Sequence, residues 1–286
     1  MEKWGLVIGL LLVLAGCSPK ETVVKPEEGT PAITYKLMNE AGLSQEELDH
    51  VSDQVKEATI IISQLIETDY EPAKSIDIVL YKESGMSYGD VSQITLHMDN
   101  GVFPIFHELT HTLLGYGNVE EGKFIGNNGF FTQEGFAEYV ESEYGSGTIP
   151  GYEISLHKMM RQTIALKRNL PLRKLTDNIL SSTYFRSYVS SDEENALRFL
   201  SYIHAGSFVT YLIEEYGLHT FEGIYDTGNV KLAVKETYGK DIETLESEWL
   251  DYIKKNEKSF SDKEKMDMKG YADLEKSILQ IDERYY

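Results

Sequence analysis

The stretch FHELTHTLLG at residues 106–115 constrains the fold more than any other part of the chain. It places His107 and His111 four residues apart inside an otherwise apolar run that is compatible with a helix. Residues four apart on an α-helix differ by only about 40° in direction, so the two imidazoles project from one face, one turn apart. Two ring nitrogens can then meet a single ion. This stretch is therefore either a metal-binding helix or a core helix that carries two histidines.

Glu108 directly follows the first histidine. On a helix it is turned about 100° from His107, so its carboxylate misses an ion held by the imidazoles and can reach a water molecule bound to that ion. Metal-assisted hydrolysis needs this division of labour, because the ion lowers the pKa of the water toward neutrality and the carboxylate accepts its proton. The HExxH pattern also arises by chance, and a helix with two hydrogen-bonded histidines and a surface glutamate is the alternative.

A catalytic zinc site takes three protein ligands and leaves one position open for water. The close HExxHxxGxxH spacing is excluded as the source of the third ligand, because the chain has Leu114 and Gly117 where that pattern needs glycine and histidine. Further along, the stretch FFTQEGFAEYVE carries Glu134 and Glu138, which are again four apart and lie on one face of a predicted helix.

The combination of HExxH with EGxAEY resembles the gluzincins, the thermolysin-like superfamily of zinc metallopeptidases. It is most similar to the branch whose zinc-binding glutamate lies in an EGxAE segment, as in bacterial collagenases. The resemblance implies that His107, His111 and Glu134 bind one Zn²⁺ per chain, with Glu108 as general base. It also implies that Glu138 orients a histidine ligand by accepting its free N–H, the alternative being a solvated charge on the helix face.

The segment YIHAGSFVTYLIEEYG at residues 202–217 is similar to the helix that follows the zinc site in these families. A tyrosine near its start hydrogen-bonds the oxyanion of the tetrahedral intermediate in such enzymes, which makes Tyr202 the candidate donor. His204 is the second candidate, since an imidazolium can fill the same role. A packed or surface aromatic ring is the competing interpretation of either residue. Residues 235–253 also look like the C-terminal helices of such peptidases, with Trp249 packed between helices.

The resemblance implies an α+β, zincin-like fold, with a small N-terminal sheet and helices, the active-site helix, and then a mainly helical C-terminal subdomain. The patterns predict a helix over residues 45–67 that starts at a capping box of Ser44 and Glu47, and strands over 75–81 and 91–98. In zincins an edge strand ahead of the motif helix aligns the substrate, a role that residues 92–98 could fill, with His97 either a residue of the cleft or simply a residue of the strand. Thr132 is predicted to cap a helix through about residue 143.

Further helices are predicted over residues 152–167, 192–216, 230–238 and 242–255. We therefore expect a peptidase domain over residues 34–256, with its α/β part at about 34–131 and its helical part at about 132–256. Residues 257–286 are charge-rich and are expected to form a peripheral helix or a tail.

The N-terminus carries an export signature. Lys3 precedes an apolar run at residues 4–14 that suits a signal peptide, and the only cysteine, Cys17, follows in a pattern that resembles a bacterial lipobox. The resemblance implies a signal peptide at residues 1–16, acylation of Cys17, and anchorage outside the cytoplasmic membrane. An ordinary cleavable signal is the alternative. Residues 17–33 are expected to be a flexible tether, and a single cysteine excludes intramolecular disulfides.

The charge balance limits the classes of partner. The chain has 27 Lys and Arg against 47 Asp and Glu, a formal net charge of −20, which repels nucleic acid. The expected partners are a peptide or protein substrate and, through the lipid, a membrane. Two other functions are compatible with the motifs: a catalytically idle zincin-like lipoprotein that binds or senses, and a metal-binding lipoprotein of a transport system. The intact Glu108 favours the enzyme over both.

Overall fold

The computed structural model of the protein describes residues 20–26, 31–67, 70–115, 130–149, 152, 154–186, 188–225 and 227–286. The predicted signal peptide, Cys17 and the stretch 116–129 between the two motifs lie outside these residues, so export and lipid attachment stay predictions. Within the described ranges, every helix is too short or too polar to cross a membrane.

A five-stranded mixed sheet forms the N-terminal part of the described chain. Its order is β1-β2-β3-β5-β4, in which β2, β3 and β5 are parallel and the two outer strands run antiparallel to their neighbours. The strands are β1 (Glu21–Val24), β2 (Thr34–Asn39), β3 (Ser75–Tyr81), β4 (Tyr88–Gly89) and β5 (Gln93–His97). The strand predicted at residues 75–81 is confirmed, and the one predicted at 91–98 is two residues too long at its start and one at its end.

Two expectations about this sheet are wrong. Residues 21–24 were expected in a tether but pair with β2, and Val24 is buried, because the hydrogen bonds of a neighbouring strand are available to them. The strand β5 is not an edge strand either, because the two-residue strand β4 covers it. Within the part of the chain that the structure describes, the edge strand on that side of the sheet is therefore β4.

The helix α1 (Gln45–Leu65) packs against the sheet through one buried face that includes Leu48, Val55 and Ile62. Its capping box is present as predicted. The backbone N–H of Ser44 donates to the Glu47 carboxylate at 2.7 Å, and the Ser44 hydroxyl accepts from the Glu47 N–H at 3.3 Å. The local signal was sufficient here because both partners lie within one turn.

The rest of the described chain is helical, which together with the sheet confirms the α+β class. The helices are α2 (Ile105–Leu114), α3 (Phe130–Tyr144), α4 (Leu156–Ala165), α5 (Leu172–Leu175), α6 (Ser181–Tyr184), α7 (Asp192–Tyr216), α8 (Leu218–Tyr225), α9 (Val230–Tyr238), α10 (Ile242–Asn256), α11 (Asp262–Asp267) and α12 (Tyr271–Gln280), and a 3-10 turn follows at Glu283–Tyr285. The bounds predicted for α7 and α9 are confirmed, and those for α10 agree to one residue.

Two helix starts differ from the prediction. Thr132 does not cap α3 but lies inside it, fully buried, where its hydroxyl donates to the carbonyl of Tyr225 at 2.7 Å. The helix α4 begins at Leu156 after an N-cap at Ser155, because Tyr152 pairs with Ile149 in an isolated β-bridge instead of starting the helix. In both cases a partner distant in sequence or a local turn outweighs the helical pattern.

The long helix α7 runs along α3, and two glycines let their backbones approach closely. A Cβ added at Gly135 of α3 would lie 2.7 Å from the carbonyl oxygen of Ala205, and one at Gly206 of α7 would lie 2.7 Å from the Cβ of Glu138. Any larger residue at either position would push the helices apart. On the other side of α7, Trp249 is fully buried and donates to the hydroxyl of Ser207 at 3.1 Å, as its predicted packing role requires.

The C-terminal residues belong to the folded structure rather than to a frayed tail. The helix α12 packs against α7, and Tyr271, Ile278 and Ile281 are buried. The chain end is fixed by the side chain of Lys174, which donates to the carbonyl of Tyr286 at 2.7 Å. Of the two expectations for residues 257–286, the peripheral helix is therefore correct, because the few apolar residues of α12 meet α7 on one face.

Candidate metal centre

The helix α2 carries the HExxH motif and lies in the interior of the protein. It begins after Pro104 and ends at Gly115, whose left-handed backbone (φ 99°) closes the last turn with a hydrogen bond to the His111 carbonyl. Every side chain of α2 is buried between α1, α3 and the sheet. A helix of this kind has to pair its polar side chains internally.

Three side-chain atoms converge beside α2. The Nε2 atoms of His107 and His111 lie 3.1 Å apart, and the Glu134 Oε2 atom of α3 lies 3.3 Å from the first and 3.2 Å from the second. Three ligand atoms of a tetrahedral zinc ion with bonds of about 2.0 Å are separated by about 3.3 Å. The triangle therefore has the size that a small divalent cation requires, and the group of His107, His111 and Glu134 can hold a metal ion.

The donor set has the chemistry of a metal site as well as its geometry. All three residues are buried, with at most 8% of any of them exposed. Two imidazole nitrogens that point at each other and at one carboxylate oxygen bring lone pairs together. This is unfavourable unless a proton or a cation lies between them. Two neutral imidazoles and a carboxylate suit Zn²⁺ among the common divalent ions.

The pKa values of the triad residues follow from their burial and from their contacts with one another. Burial lowers the pKa of His107, but the hydrogen bond to Glu134 and the surrounding carboxylate charges outweigh it and raise the pKa to about 10. Burial likewise raises the pKa of Glu134, whereas the charges and hydrogen bonds of the two histidines outweigh it and depress the pKa well below its usual range. Burial lowers the pKa of His111. The raised pKa of His107 and the depressed pKa of Glu134 thus share one cause, the contact between the two side chains.

Glu108 lies beside the triad and opens on the same cavity. It is 5% exposed, and burial raises the pKa of its carboxyl to about 7, although the charge of His107 opposes the shift. The backbone N–H of Gly89 in β4 donates a hydrogen bond to it. A carboxyl with a pKa near neutrality and a single backbone donor is suited to take up and return a proton.

Gly89 is required for this contact. A Cβ at this position would lie 2.4 Å from the carbonyl oxygen of Glu108 and 2.7 Å from the hydroxyl of Thr112. The backbone of the edge strand β4 therefore packs directly against α2. This contact could not be predicted from the sequence, because Gly89 is separated from the motif along the chain and lies in a two-residue strand.

Glu138 is placed where the resemblance to gluzincins implied. Its Oε1 atom lies 3.5 Å from Nδ1 of His107, on the side of the ring that faces away from the triad. Burial raises the pKa of Glu138 to about 7, against the opposing charge of His107. The Glu138 carboxyl therefore lies beside the nitrogen of His107 that does not face the triad, and its side chain is 16% exposed, which is less than expected for a solvated charge on a helix face.

Of the two predicted oxyanion donors, only Tyr202 reaches the site. Its hydroxyl donates to Oε1 of Glu134 at 3.0 Å, and its ring is nearly parallel to that of His107, with the ring centres 6.2 Å apart. His204 is fully buried outside the cavity. Its Nδ1 donates to the Leu200 carbonyl and its Nε2 accepts from the Leu170 N–H.

Burial also lowers the pKa of His204 to about 4, so the imidazole is neutral at pH 7. With both ring nitrogens engaged by the backbone and no positive charge, it cannot act as an imidazolium donor. His204 is therefore corrected to a core residue.

Sequence reasoning missed Glu141, the third carboxylate of α3 on the side that faces α2. Its Oε2 atom accepts from the backbone N–H of His107 at 3.0 Å, and its Oε1 atom accepts from the N–H and hydroxyl of Ser146. The N–H of His107 belongs to the first turn of α2, which has no side-chain cap of its own. The only sequence signal for Glu141 is its position three residues beyond Glu138 in the same helix.

The triad lies in the wall of a cavity of about 600 Å³. Among the described residues, its lining includes residues 85–89 with β4, the end of α3, the first turns of α7, and α12, which contributes Asp273, Leu274 and Ser277. His97 also borders the cavity, with its ring stacked on Tyr81 and its Nδ1 atom 2.9 Å from the carbonyl of Glu83. The cavity is large enough to accept a short peptide segment.

A second histidine cluster resembles a hydrolytic triad but cannot act as one. His157 lies 2.8 Å from the hydroxyl of Ser207 and 3.1 Å from a carboxylate oxygen of Glu214. Ser207 is fully buried and accepts a hydrogen bond from Trp249. No substrate can reach this serine, so the cluster stabilises the contact between α4, α7 and α10.

No family model matches this chain, and no curated protein sequence matches it significantly. The chemistry assigned to the chain therefore depends on the geometry of its own residues.

Proposed function

We propose that this protein is a zinc-dependent metallopeptidase of the gluzincin type. The observation that carries the proposal is the convergence of His107, His111 and Glu134 on one point, with the buried carboxyl of Glu108 beside them in an accessible cavity. The order of the elements, with a small sheet before the motif helix and helices after it, supports a zincin-like fold.

In this proposal His107, His111 and Glu134 hold one Zn²⁺, which when bound polarises a peptide carbonyl and lowers the pKa of a water molecule. Glu108 accepts the proton of the attacking water and returns it to the leaving amine, for which its near-neutral pKa is suited. The Tyr202 hydroxyl is the donor for the oxyanion that forms on the substrate carbonyl, and a donor of this kind contributes about 3 kcal/mol in the transition state.

The open edge of the sheet gives the substrate a place to bind. The strand β4 is short, borders the cavity, and contacts Glu108 through the N–H of Gly89. An extended peptide that pairs with the edge of β4 would bring its backbone past the general base. Unfolded polypeptide, rather than a folded protein surface, is the substrate that suits this mode of binding.

The proposed location is outside the cytoplasmic membrane of a bacterium, on a lipid attached to Cys17. The evidence is the sequence pattern alone, an apolar run followed by LAGC. The Cys17→Ser variant tests it. We expect the wild type to partition into detergent with the membrane fraction and the variant to lose both the lipid and the partitioning, whereas an unchanged distribution would contradict lipid attachment.

The decisive test of the activity compares the wild type with Glu108→Gln. Both proteins are loaded with zinc, and hydrolysis of unfolded polypeptide is followed with and without a chelator. We expect chelator-sensitive hydrolysis by the wild type, a loss of about 10²- to 10⁴-fold in the variant, and about one zinc per chain in both. The exposed Glu143→Gln on α3 is the matched control and is expected to behave as the wild type.

Two results would contradict this proposal. Zinc bound by the wild type without any hydrolysis would favour a catalytically idle lipoprotein that binds or senses. Equal hydrolysis by the wild type and Glu108→Gln would remove Glu108 as the base.

A further inference from the structure

One basic side chain in the cavity has no acidic partner among the described residues. Of the described residues that line the cavity, Arg198 of α7 is the only lysine or arginine. Its Nη1 atom donates to Sδ of Met86 at 2.9 Å and its Nη2 atom to Oδ1 of Asn195 at 3.1 Å. Both acceptors are uncharged, and a thioether is a weak one.

Acidic side chains are present in the same cavity but do not pair with Arg198. Asp192 and Asp273 both line it, yet within the described residues Arg198 forms no salt bridge. Three of the five other arginines among the described residues form ion pairs with carboxylates, namely Arg168, Arg186 and Arg284. The guanidinium of Arg198 thus keeps most of its donors for a group that enters the cavity.

The position of Arg198 relative to the reacting centre is fixed by the helix. It lies four residues before Tyr202, so both side chains project from the same face of α7, about 6 Å apart along the axis. The hydroxyl of Tyr202 lies at the triad, because it donates a hydrogen bond to Glu134. An extended peptide advances about 3.3 Å per residue, so Arg198 lies about two residues from the bond that would react.

We propose that Arg198 recognises a carboxylate of the substrate, located about two residues from the cleaved bond. A guanidinium binds a carboxylate through two parallel charge-assisted hydrogen bonds, about twice as strong as bonds between neutral groups, and would exchange its contact with Met86 for this pair. The carboxylate is either the free C-terminus of a short peptide or an Asp or Glu side chain. The inference rests on the proposed peptidase function and defines its substrate class.

The experiment uses zinc-loaded protein and four matched peptides. One peptide ends in a free carboxylate and has neutral side chains, and the second is its C-terminal amide. The third is an amide with one glutamate at the predicted position, and the fourth has glutamine there. Hydrolysis of each peptide by the wild type gives kcat/KM, and binding to the non-hydrolysing Glu108→Gln variant gives a dissociation constant that does not depend on activity.

We expect the wild type to prefer one carboxylate peptide over its neutral counterpart by about 10- to 100-fold, and the pair that shows this preference identifies the source of the carboxylate. Arg198→Gln should bring the ratio of kcat/KM between the carboxylate peptide and its neutral counterpart to about one. Arg198→Lys should give an intermediate ratio, because lysine keeps the positive charge but lacks the two parallel N–H donors of the guanidinium. Arg173→Gln, an exposed arginine outside the cavity, should leave the ratio and the rates unchanged. Zinc content of each variant verifies that it is folded.

Hydrolysis by the wild type with no preference for either carboxylate peptide would overturn the inference, as would a preference that survives in Arg198→Gln. If no peptide is hydrolysed, the proposed peptidase function fails by itself. The binding measurements still test the role of Arg198 in that case. Carboxylate-dependent binding to Glu108→Gln that is lost when Arg198→Gln is added would support this role. No carboxylate-dependent binding would reject it.

Discussion

The Glu141 carboxylate of α3 accepts a hydrogen bond from the backbone N–H of His107, at 3.0 Å. One helix thus caps the first turn of another, at the residue that carries one of the three candidate ligands. A carboxylate is favourable there because the N-terminus of a helix carries a partial positive charge. Glu134, Glu138 and Glu141 of α3 therefore contact His107 at its ring Nε2, its ring Nδ1 and its backbone, respectively.

The first prediction concerns this cap. Glu141→Ala leaves the His107 N–H without its carboxylate in a buried position, and we expect the free energy of unfolding to fall by about 1 to 3 kcal/mol in urea denaturation. Metal affinity, measured by competition with a chelator, should fall about tenfold because His107 loses its anchor. Glu143→Ala, exposed on the same helix, is the control. Equal stability and affinity in the two variants would contradict a positioning role.

The second prediction separates two roles of Tyr202. Tyr202→Phe keeps the ring against His107 and removes only the hydroxyl that bonds Glu134. We expect kcat to fall about 100-fold and metal affinity to fall by less than about tenfold, since the donor acts on the transition state. Tyr211→Phe on the same helix, outside the cavity, is the control. A large loss of affinity with an unchanged kcat of the zinc-loaded protein would show that the hydroxyl only orients Glu134.

The third prediction concerns the close approach of α3 and α7. Alanine in place of glycine in a helix ordinarily stabilises by up to about 1 kcal/mol. In Gly135→Ala the new methyl group would lie 2.7 Å from the Ala205 carbonyl oxygen and from Cγ2 of Val209, so the helices must separate. We expect a net loss of about 1 to 3 kcal/mol in the free energy of unfolding.

Gly223→Ala in α8 is the matched control for this change. Its added Cβ would meet nothing closer than 3.4 Å, at the hydroxyl of Thr237, so the ordinary gain in helix propensity should remain. A Gly135→Ala variant as stable as Gly223→Ala would refute the close packing of α3 on α7.

The fourth prediction follows from the raised pKa of Glu108 in the metal-free protein. Because burial raises this pKa from 4.5 to about 7, the folded state disfavours the ionised carboxyl. The contribution of Glu108 to the stability of the wild type therefore falls as the pH rises from about 4.5 through about 7 and then levels off. Glu108→Gln has no charge to lose, so we expect it to match the wild type near pH 5.

At pH 8 the metal-free Glu108→Gln variant should be more stable than the wild type by about 1 to 3 kcal/mol in urea denaturation. The residue that supplies the proposed base would thus be a source of instability in the absence of a metal ion. A pH-independent difference, or a variant less stable than the wild type at pH 8, would contradict the shift.

The parts of the molecule that sequence could predict depend on partners close along the chain. The capping box of α1 lies within one turn, and the pairs His107 with His111 and Glu134 with Glu138 follow from helical spacing alone. That these two pairs converge is not a consequence of spacing. It was inferred from the resemblance to gluzincins, and the packing of α3 on α2 brings them together.

The features that were missed depend on contacts between distant segments. The strand β1 forms because β2 offers hydrogen bonds, β4 replaces β5 as the edge, and α12 completes the cavity from the far end of the chain. Arg198 carried no motif, and its proposed role depends on its position in the cavity and on its uncharged hydrogen-bond partners. His204 looked suitable in the sequence because its burial and its two backbone partners could not be read from residue order.

The metal content of the purified protein tests the central claim most directly. The wild type, Glu134→Ala and the control Glu143→Ala are each dialysed against limiting zinc, and bound metal is measured by elemental analysis. The account predicts about one zinc per chain in the wild type and in Glu143→Ala, and little or none in Glu134→Ala. A folded wild type that retains no zinc, or a Glu134→Ala variant that retains as much as the wild type, would contradict it.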